Sequence, residues 1–275
     1  MSKYPTSKYQ EFAPAAPLAR FVVCTWTQQT GEGEQDYHQR VLPDGCTDVI
    51  WTEETPPLVV GPATRAFVAP VPPCSTLIGV RFRPGLAPVL LGAPARLMRD
   101  RQVPLADLWG PSAIRLSDQI AERQTTRTRI RQFESTLLDR LDRAGPADNV
   151  IIRAVAWIAQ KPCGRISELS RAIGISSRQL HRRFHDAVGY SPKTLQRILR
   201  FQRLLDLAHN EPSPRLDLAA LAFKAGYADQ AHMSRDVREL SEGTPTSVLP
   251  NSESTLAMAD FFKTASTESP MIHFD

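Results

Sequence analysis

The sequence lacks the features that mark membrane and exported proteins. It contains no run of about 18 apolar residues, the length that a transmembrane helix requires. Its N-terminus also lacks a cationic stretch followed by an apolar one, as a secretory signal would show. We therefore expect a soluble, cytoplasmic protein without a membrane partner.

Cysteine is scarce, and its four residues are far apart: Cys24, Cys46, Cys74 and Cys163. There is no C-x-x-C pair and no nearby histidine to complete a tetrahedral zinc site. We interpret the cysteines as buried thiols of a reducing compartment. No metal ion and no other cofactor is expected.

Familiar catalytic motifs are missing as well, because neither G-x-S-x-G nor H-E-x-x-H occurs. Asp44, Cys46 and Asp48 lie close together, but the Pro-Asp-Gly segment at residues 43–45 is first of all a turn. The sequence therefore does not predict an enzyme.

Positive charge is concentrated in one part of the chain. Residues 1–110 carry 10 Lys/Arg and 10 Asp/Glu, whereas residues 149–250 carry 15 and 9. A basic segment can be a solvated surface, but it is also what a phosphate backbone attracts. The motifs in this segment decide between the two.

Two helix-turn-helix patterns follow one another, at residues 166–184 and 218–237. Each has a short helix with periodic apolar residues, a glycine, and a second helix whose outer face is polar and basic. One such pattern often means only a helical hairpin. Two copies with the same internal order predict DNA binding.

Turn and cap residues support both patterns. Gly174 and Gly226 stand where the chain must turn sharply, because glycine reaches positive φ without a steric penalty. Ser176 and Asp229 then offer N-cap oxygens to the second helix of each pair. The sequence thus predicts where both second helices begin.

Parts of this region resemble the AraC/XylS family of bacterial transcription regulators, at residues 189–203, 225–235 and 240–245. The resemblance covers residues 150–249 and implies a double helix-turn-helix DNA-binding domain. In one place the chain departs from it. The family usually has glycine two residues after Leu240, where this chain has Glu242 and then Gly243, so the resemblance does not fix this turn.

The second helix of each unit is the one that enters the major groove. The resemblance and the helical spacing assign base contacts to its outward residues, which are Ser177, Arg178, His181 and Arg182 in the first unit and Gln230, Ala231, Ser234 and Arg235 in the second. Arg182 suits guanine and Gln230 suits adenine.

A long helix beginning after Ser191 is expected to join the two units. It should reach about residue 208 and span roughly 25 Å, which can hold two recognition helices about one DNA turn, ~34 Å, apart. Its free N–H groups form a phosphate site, with Lys193, Thr194 and Arg197 nearby.

The N-terminal part reads as short strands separated by turn residues, at residues 21–27, 40–42, 48–52, 57–60 and 76–82. The segments at residues 42–51, 60–62 and 79–85 are similar to an uncharacterised sensory-type domain that precedes AraC-type DNA-binding domains in some bacterial regulators. Trp26, Trp51 and Arg81 are candidate pocket residues.

The predicted fold class is α+β with several domains. Residues 1–110 form a β-rich putative sensory domain with a few helices, and residues 111–148 form a helical connector. Residues 149–250 form an all-α domain of two helix-turn-helix units joined by a long helix, and residues 251–275 a disordered tail. The connector's apolar stripe packs either on the β domain or on its copy in a dimer, and we favour the first.

The predicted function is sequence-specific transcription regulation under effector control. The expected partners are double-stranded promoter or operator DNA, an unknown small-molecule effector, RNA polymerase if the protein activates, and a second copy if it forms a homodimer. The alternative is a DNA-repair methyltransferase fused to an AraC-type module, which the scattered cysteines disfavour.

Overall fold

Residues 6–33, 35–210 and 217–249 are described by a computed structural model, and the predicted tail at 251–275 lies outside them. The first half holds eight strands: β1 Ser7–Phe12, β2 Val22–Thr30, β3 Tyr37–Val41, β4 Thr47–Thr52, β5 Leu58–Val60, β6 Phe67–Val71, β7 Thr76–Phe82 and β8 Gln102–Pro104. Six of them form an antiparallel sheet in the order β1-β2-β7-β4-β5-β8, and β3 pairs with β6.

Helices cover one face of the six-stranded sheet: α1 Ala87–Leu91, α2 Leu105–Trp109, α3 Pro111–Ala121 and α4 Thr126–Leu141. One apolar core joins the sheet to these helices and includes Phe82, Leu116 and Phe133, each 1% exposed or less. The connector stripe therefore packs on the β domain, as favoured from the sequence.

The second half is helical: α5 Asn149–Gln160, α6 Ile166–Ile173, α7 Ser177–Val188, α8 Pro192–Asn210, α9 Leu218–Ala225, α10 Gln230–Ser241 and α11 Pro245–Val248. Its core includes Phe184, Phe201 and Met233, all fully buried. The predicted order, a β-rich part followed by an all-α part, is confirmed. Among the described residues no helix has the length and apolar character to cross a bilayer.

The cysteines do not all fit the interpretation as buried thiols. Cys24 is buried and Cys46 is half-buried, but Cys74 and Cys163 are exposed. Cys74 lies in a surface turn with φ +58°, and the Cys163 thiol donates to the Gly226 carbonyl at 3.2 Å. The interpretation is therefore wrong for these two residues.

Candidate nucleic-acid interface and N-terminal cavity

Both recognition helices, α7 and α10, begin at the predicted caps. The Ser176 hydroxyl accepts from the Gln179 amide at 3.3 Å, and the Asp229 carboxylate accepts from the His232 amide at 2.6 Å. Gly174 and Gly226 end the preceding helices with φ +77° and +95°. The turns that orient the recognition helices are thus fixed by local chemistry.

The predicted base-contact residues lie on the solvent side of both recognition helices. On α7 all four are exposed, and on α10 all are exposed except Ser234, which is half-buried. The guanidinium groups of Arg178, Arg182 and Arg235 have no ion-pair partner among the described residues. These three cations are free to meet phosphates or base edges.

The start of α8 is capped by Ser191, whose hydroxyl accepts from the Thr194 amide at 3.1 Å. Lys193 is exposed, and its ammonium donates to the Gln196 side chain at 3.0 Å. Gln196 in turn donates to the Gly164 carbonyl at 2.7 Å. The predicted phosphate site therefore stands on a helix start that is anchored to the loop before α6.

Arg197 lies in a different environment from the one expected. Its guanidinium donates to Asp236 at 2.9 Å and also contacts Glu239, and these carboxylates raise the pKa of the arginine although burial acts against them. A phosphate would have to compete with two carboxylates already in place. Arg197 thus joins α8 to α10.

A buried ion pair beside Arg197 escaped the sequence reasoning. Arg200 and Asp236 are 4% and 5% exposed, and they meet at 2.9 Å. The Arg200 guanidinium also lies 4.6 Å from the centre of the Tyr227 ring, which contacts His232 edge-on at 5.2 Å. The sequence could have indicated this buried pair, because Asp236 occupies a core-facing helical position beside Met233 and Val237.

The closing turn adopts an uncommon conformation at the position where the sequence departs from the family pattern. Helix α10 is capped by Glu242 at φ +56°, in the left-handed region. Glycine adopts this conformation readily, whereas a side chain raises its energy. The chain therefore still turns at this position, but the backbone of Glu242 adopts a conformation that is unfavourable for a residue with a side chain.

A cavity of about 430 Å³ is lined mainly by residues of the N-terminal domain. Trp26 and Arg81 line it, as the sequence suggested. Trp51 does not, because it points to the opposite face of the sheet, is 1% exposed, and donates to Ser117 of α3 at 3.1 Å. The assignment of Trp51 to the pocket is therefore wrong.

One wall of the cavity comes from the DNA-binding half. Gln202, on α8, is a lining residue, and its amide donates to the Pro43 carbonyl at 2.6 Å. Residues Gln39, Arg40 and Val41 of β3 line the cavity from the other half. The cavity thus touches both halves of the chain.

The N-terminal domain also holds α7 at its C-terminal end. Asp186 pairs with Arg96 at 2.7 Å, and Arg99 donates to the Gly189 carbonyl at 3.4 Å. A side-chain carbon at Gly189 would lie 2.8 Å from Pro62, so the two surfaces are in close contact.

Helix α10 is held in the same way. The Ala66 amide donates to the Leu240 carbonyl at 2.7 Å, and Arg40 donates to the Ser241 carbonyl. Both recognition helices are therefore anchored at their C-terminal ends, and both expose their N-terminal ends.

Two family profiles match the chain. A family described as a helix-turn-helix domain matches residues 169–250, and a family described as a domain of unknown function matches residues 10–104. The first match spans both recognition helices. The C-terminal part of the chain therefore carries a helix-turn-helix domain, a kind of domain that binds DNA.

Three regulators are among the solved structures to which the chain is similar. A probable AraC family transcriptional regulator from Rhodopseudomonas palustris shares 26% identity over 37% of this chain and 95% of its own, with a TM-score of 0.33. ToxT from Vibrio cholerae shares 10% identity over 90% of this chain and 98% of its own, with a TM-score of 0.45. The xylose-binding transcription activator XylR shares 18% identity over 44% of this chain and 38% of its own, with a TM-score of 0.33. No curated protein matches the chain.

Proposed function

We propose that one chain reads two consecutive major grooves, with α7 in one groove and α10 in the next, and that occupancy of the N-terminal cavity controls this binding. The observation that carries the proposal is a set of features that the two helices share. Each exposes its N-terminal end, each carries at least one exposed arginine without an ion-pair partner among the described residues, and each is anchored to the N-terminal domain at its other end.

Helix α8 supports the two-groove arrangement. Its 19 residues span about 28 Å, and successive major grooves on one face of DNA are about 34 Å apart. The Arg200–Asp236 pair fixes α10 on this helix, and Gln196 fixes its start against the loop before α6. A rigid connection of this kind favours one spacing between the two half-sites.

Control by an effector is supported by the position of the cavity. Gln202 of α8 lines the cavity, and Arg40, which lines it from β3, connects it to the end of α10. A ligand that prefers one arrangement of these groups shifts the balance between arrangements of the recognition helices. RNA polymerase and a second copy of the chain remain predicted partners.

Binding-site selection from random duplexes tests the proposal with the full-length protein. We expect an asymmetric site of two parts whose centres lie about 10 base pairs apart. Recovery of a single short site, or of a palindrome bound by two copies, would show that the two helices do not read DNA together.

A further inference from the structure

The charged residues that line the cavity are mostly acidic. Among the described residues, four carboxylates and two arginines line it, with no lysine or histidine beside them: Asp44, Asp48, Glu53, Glu54, Arg40 and Arg81. Glu53 pairs with Arg129 at 2.5 Å. Arg40 is bound to the Ser241 carbonyl. The other cation in the described part of the lining is Arg81.

Arg81 is already shared by three carboxylates. It lies 3.1 Å from Asp48, 3.6 Å from Asp44 and 3.9 Å from Glu11. Burial raises the pKa of Asp48 even though Arg81 opposes the rise, and repulsion from Asp44 adds to it. Asp44 and Glu11 already outnumber the single guanidinium, so this end of the cavity has more negative charge than Arg81 balances whether or not Asp48 is protonated.

Aromatic rings stand next to these carboxylates. The Trp26 indole donates to Asp48 at 2.8 Å, and its ring lies 5.8 Å from that of Tyr9. Gly79 makes room for the indole, because a side-chain carbon there would lie 2.1 Å from it. Ring faces beside carboxylates attract organic cations.

Most of the remaining wall is apolar: Ile50, Leu58, Val60, Phe67, Val71 and Leu77. Gln39 also lines the cavity, is 6% exposed, and its side-chain oxygen has no hydrogen-bond partner among the described residues. This oxygen is buried inside the wall, so it does not add a free polar group to the cavity surface.

We propose that the cavity binds an amphiphilic organic cation, with an amine or quaternary ammonium head between Asp44, Asp48 and Trp26 and an apolar body along the rest of the wall. The inference rests on the proposed function only in treating the cavity as an effector site. An anionic ligand would meet more carboxylates than guanidinium groups, and Arg81 is already shared by three carboxylates.

Two matched pairs of ligands test the charge preference on the full-length protein. Tryptamine and indole-3-propionate share a ring but have opposite charge, and tetraphenylphosphonium and tetraphenylborate share a shape. Calorimetry should show at least one cation binding tenfold or more tighter than its anionic counterpart, and this cation should raise the melting temperature. Equal or tighter binding of the anions, or of xylose, overturns the proposal, as does no binding by either cation.

The variant Asp44→Asn tests whether the charged head of the ligand binds beside Asp44. Asparagine keeps an oxygen that can accept from the Cys46 amide, as Asp44 does at 2.8 Å, so the turn is retained while the charge is removed. We expect cation affinity to fall tenfold or more. Asp118→Asn, an exposed change on α3 outside the cavity, should leave the affinity unchanged. If Asp44→Asn binds the cation as the unchanged protein does, the head group does not lie there.

A DNA titration separates the two proposals. If the cation binds and this binding depends on Asp44, but DNA affinity does not change, the cavity binds organic cations and does not control DNA binding. If an anion or sugar binds instead and changes DNA affinity, the ligand class fails and control by the cavity stands.

Discussion

At the scale of single residues, the arginines divide by their partners rather than by their positions in the sequence. Arg178, Arg182 and Arg235, on the outer faces of the recognition helices, have no ion-pair partner in the described part of the chain. Arg197 and Arg200, which the sequence places on an equally basic helix, are held by Asp236. Charge alone did not predict this difference, because it depends on which helix faces α8.

Arg182→Ala and Arg235→Ala should each weaken binding to the selected site by about 1–3 kcal/mol and relax its sequence preference, as loss of a bidentate base contact does. Lys193→Ala should weaken selected and scrambled duplexes equally, as loss of a phosphate contact does. Competition binding measures both. Arg115→Ala, an exposed change on α3, is the control for charge, and a uniform loss with Arg182→Ala would contradict base reading.

Asp236→Ala should destabilise the protein by about 3–5 kcal/mol, because it leaves Arg200 buried without a partner. Glu239→Ala removes an exposed carboxylate from the same network and should change the stability by about 1 kcal/mol or less. Urea unfolding followed by circular dichroism compares the two variants. Similar midpoints would show that the buried pair does not hold α10 in place.

At the scale of helices and strands, the sequence predicted those elements whose ends carry their own chemistry. Recognition helices α7 and α10 begin after Ser176 and Asp229, as expected. Three strands were not predicted: β1 is largely polar, β6 contains Pro70, and β8 has three residues that end in Pro104. Pairing with neighbouring strands makes these segments strands, and pairing is not visible locally.

Strand alternation explains why one tryptophan was wrongly assigned to the pocket. Along β4, Asp48, Ile50 and Thr52 face the cavity, whereas Val49 and Trp51 face the helices. Successive side chains of a strand point to opposite faces. The alternation was in the sequence, but which face would carry the cavity depended on how the helices pack.

The turn after α10 gives a stability prediction. Glu242→Gly should stabilise the protein by about 0.5–1 kcal/mol, because it relieves a left-handed side-chain conformation at some cost in unfolded-state entropy. Thermal unfolding measures the gain. Glu242→Ala keeps the side-chain carbon and should not stabilise, so an equal rise in both variants would mean that the carboxylate, not φ, is responsible.

At the scale of the whole molecule, the N-terminal domain anchors both recognition helices, through Arg96 to α7 and through Ala66 and Arg40 to α10. A fragment of residues 149–249 should bind DNA with a strong salt dependence, because the basic excess lies there. It should also tolerate altered half-site spacing better than the full chain. Mobility-shift titrations with both proteins measure this, and equal spacing preference would mean that the anchors do not constrain the helices.

The most direct test of the account is the affinity of the full-length protein for its selected site after insertions between the two halves. Reading by α7 and α10 of one chain predicts that five inserted base pairs, which rotate one half by about half a turn, reduce affinity to that of a single half-site. Ten inserted base pairs restore the face of the DNA but exceed the reach of α8, so affinity should stay low. Unchanged affinity after either insertion would contradict simultaneous reading of two grooves by one chain.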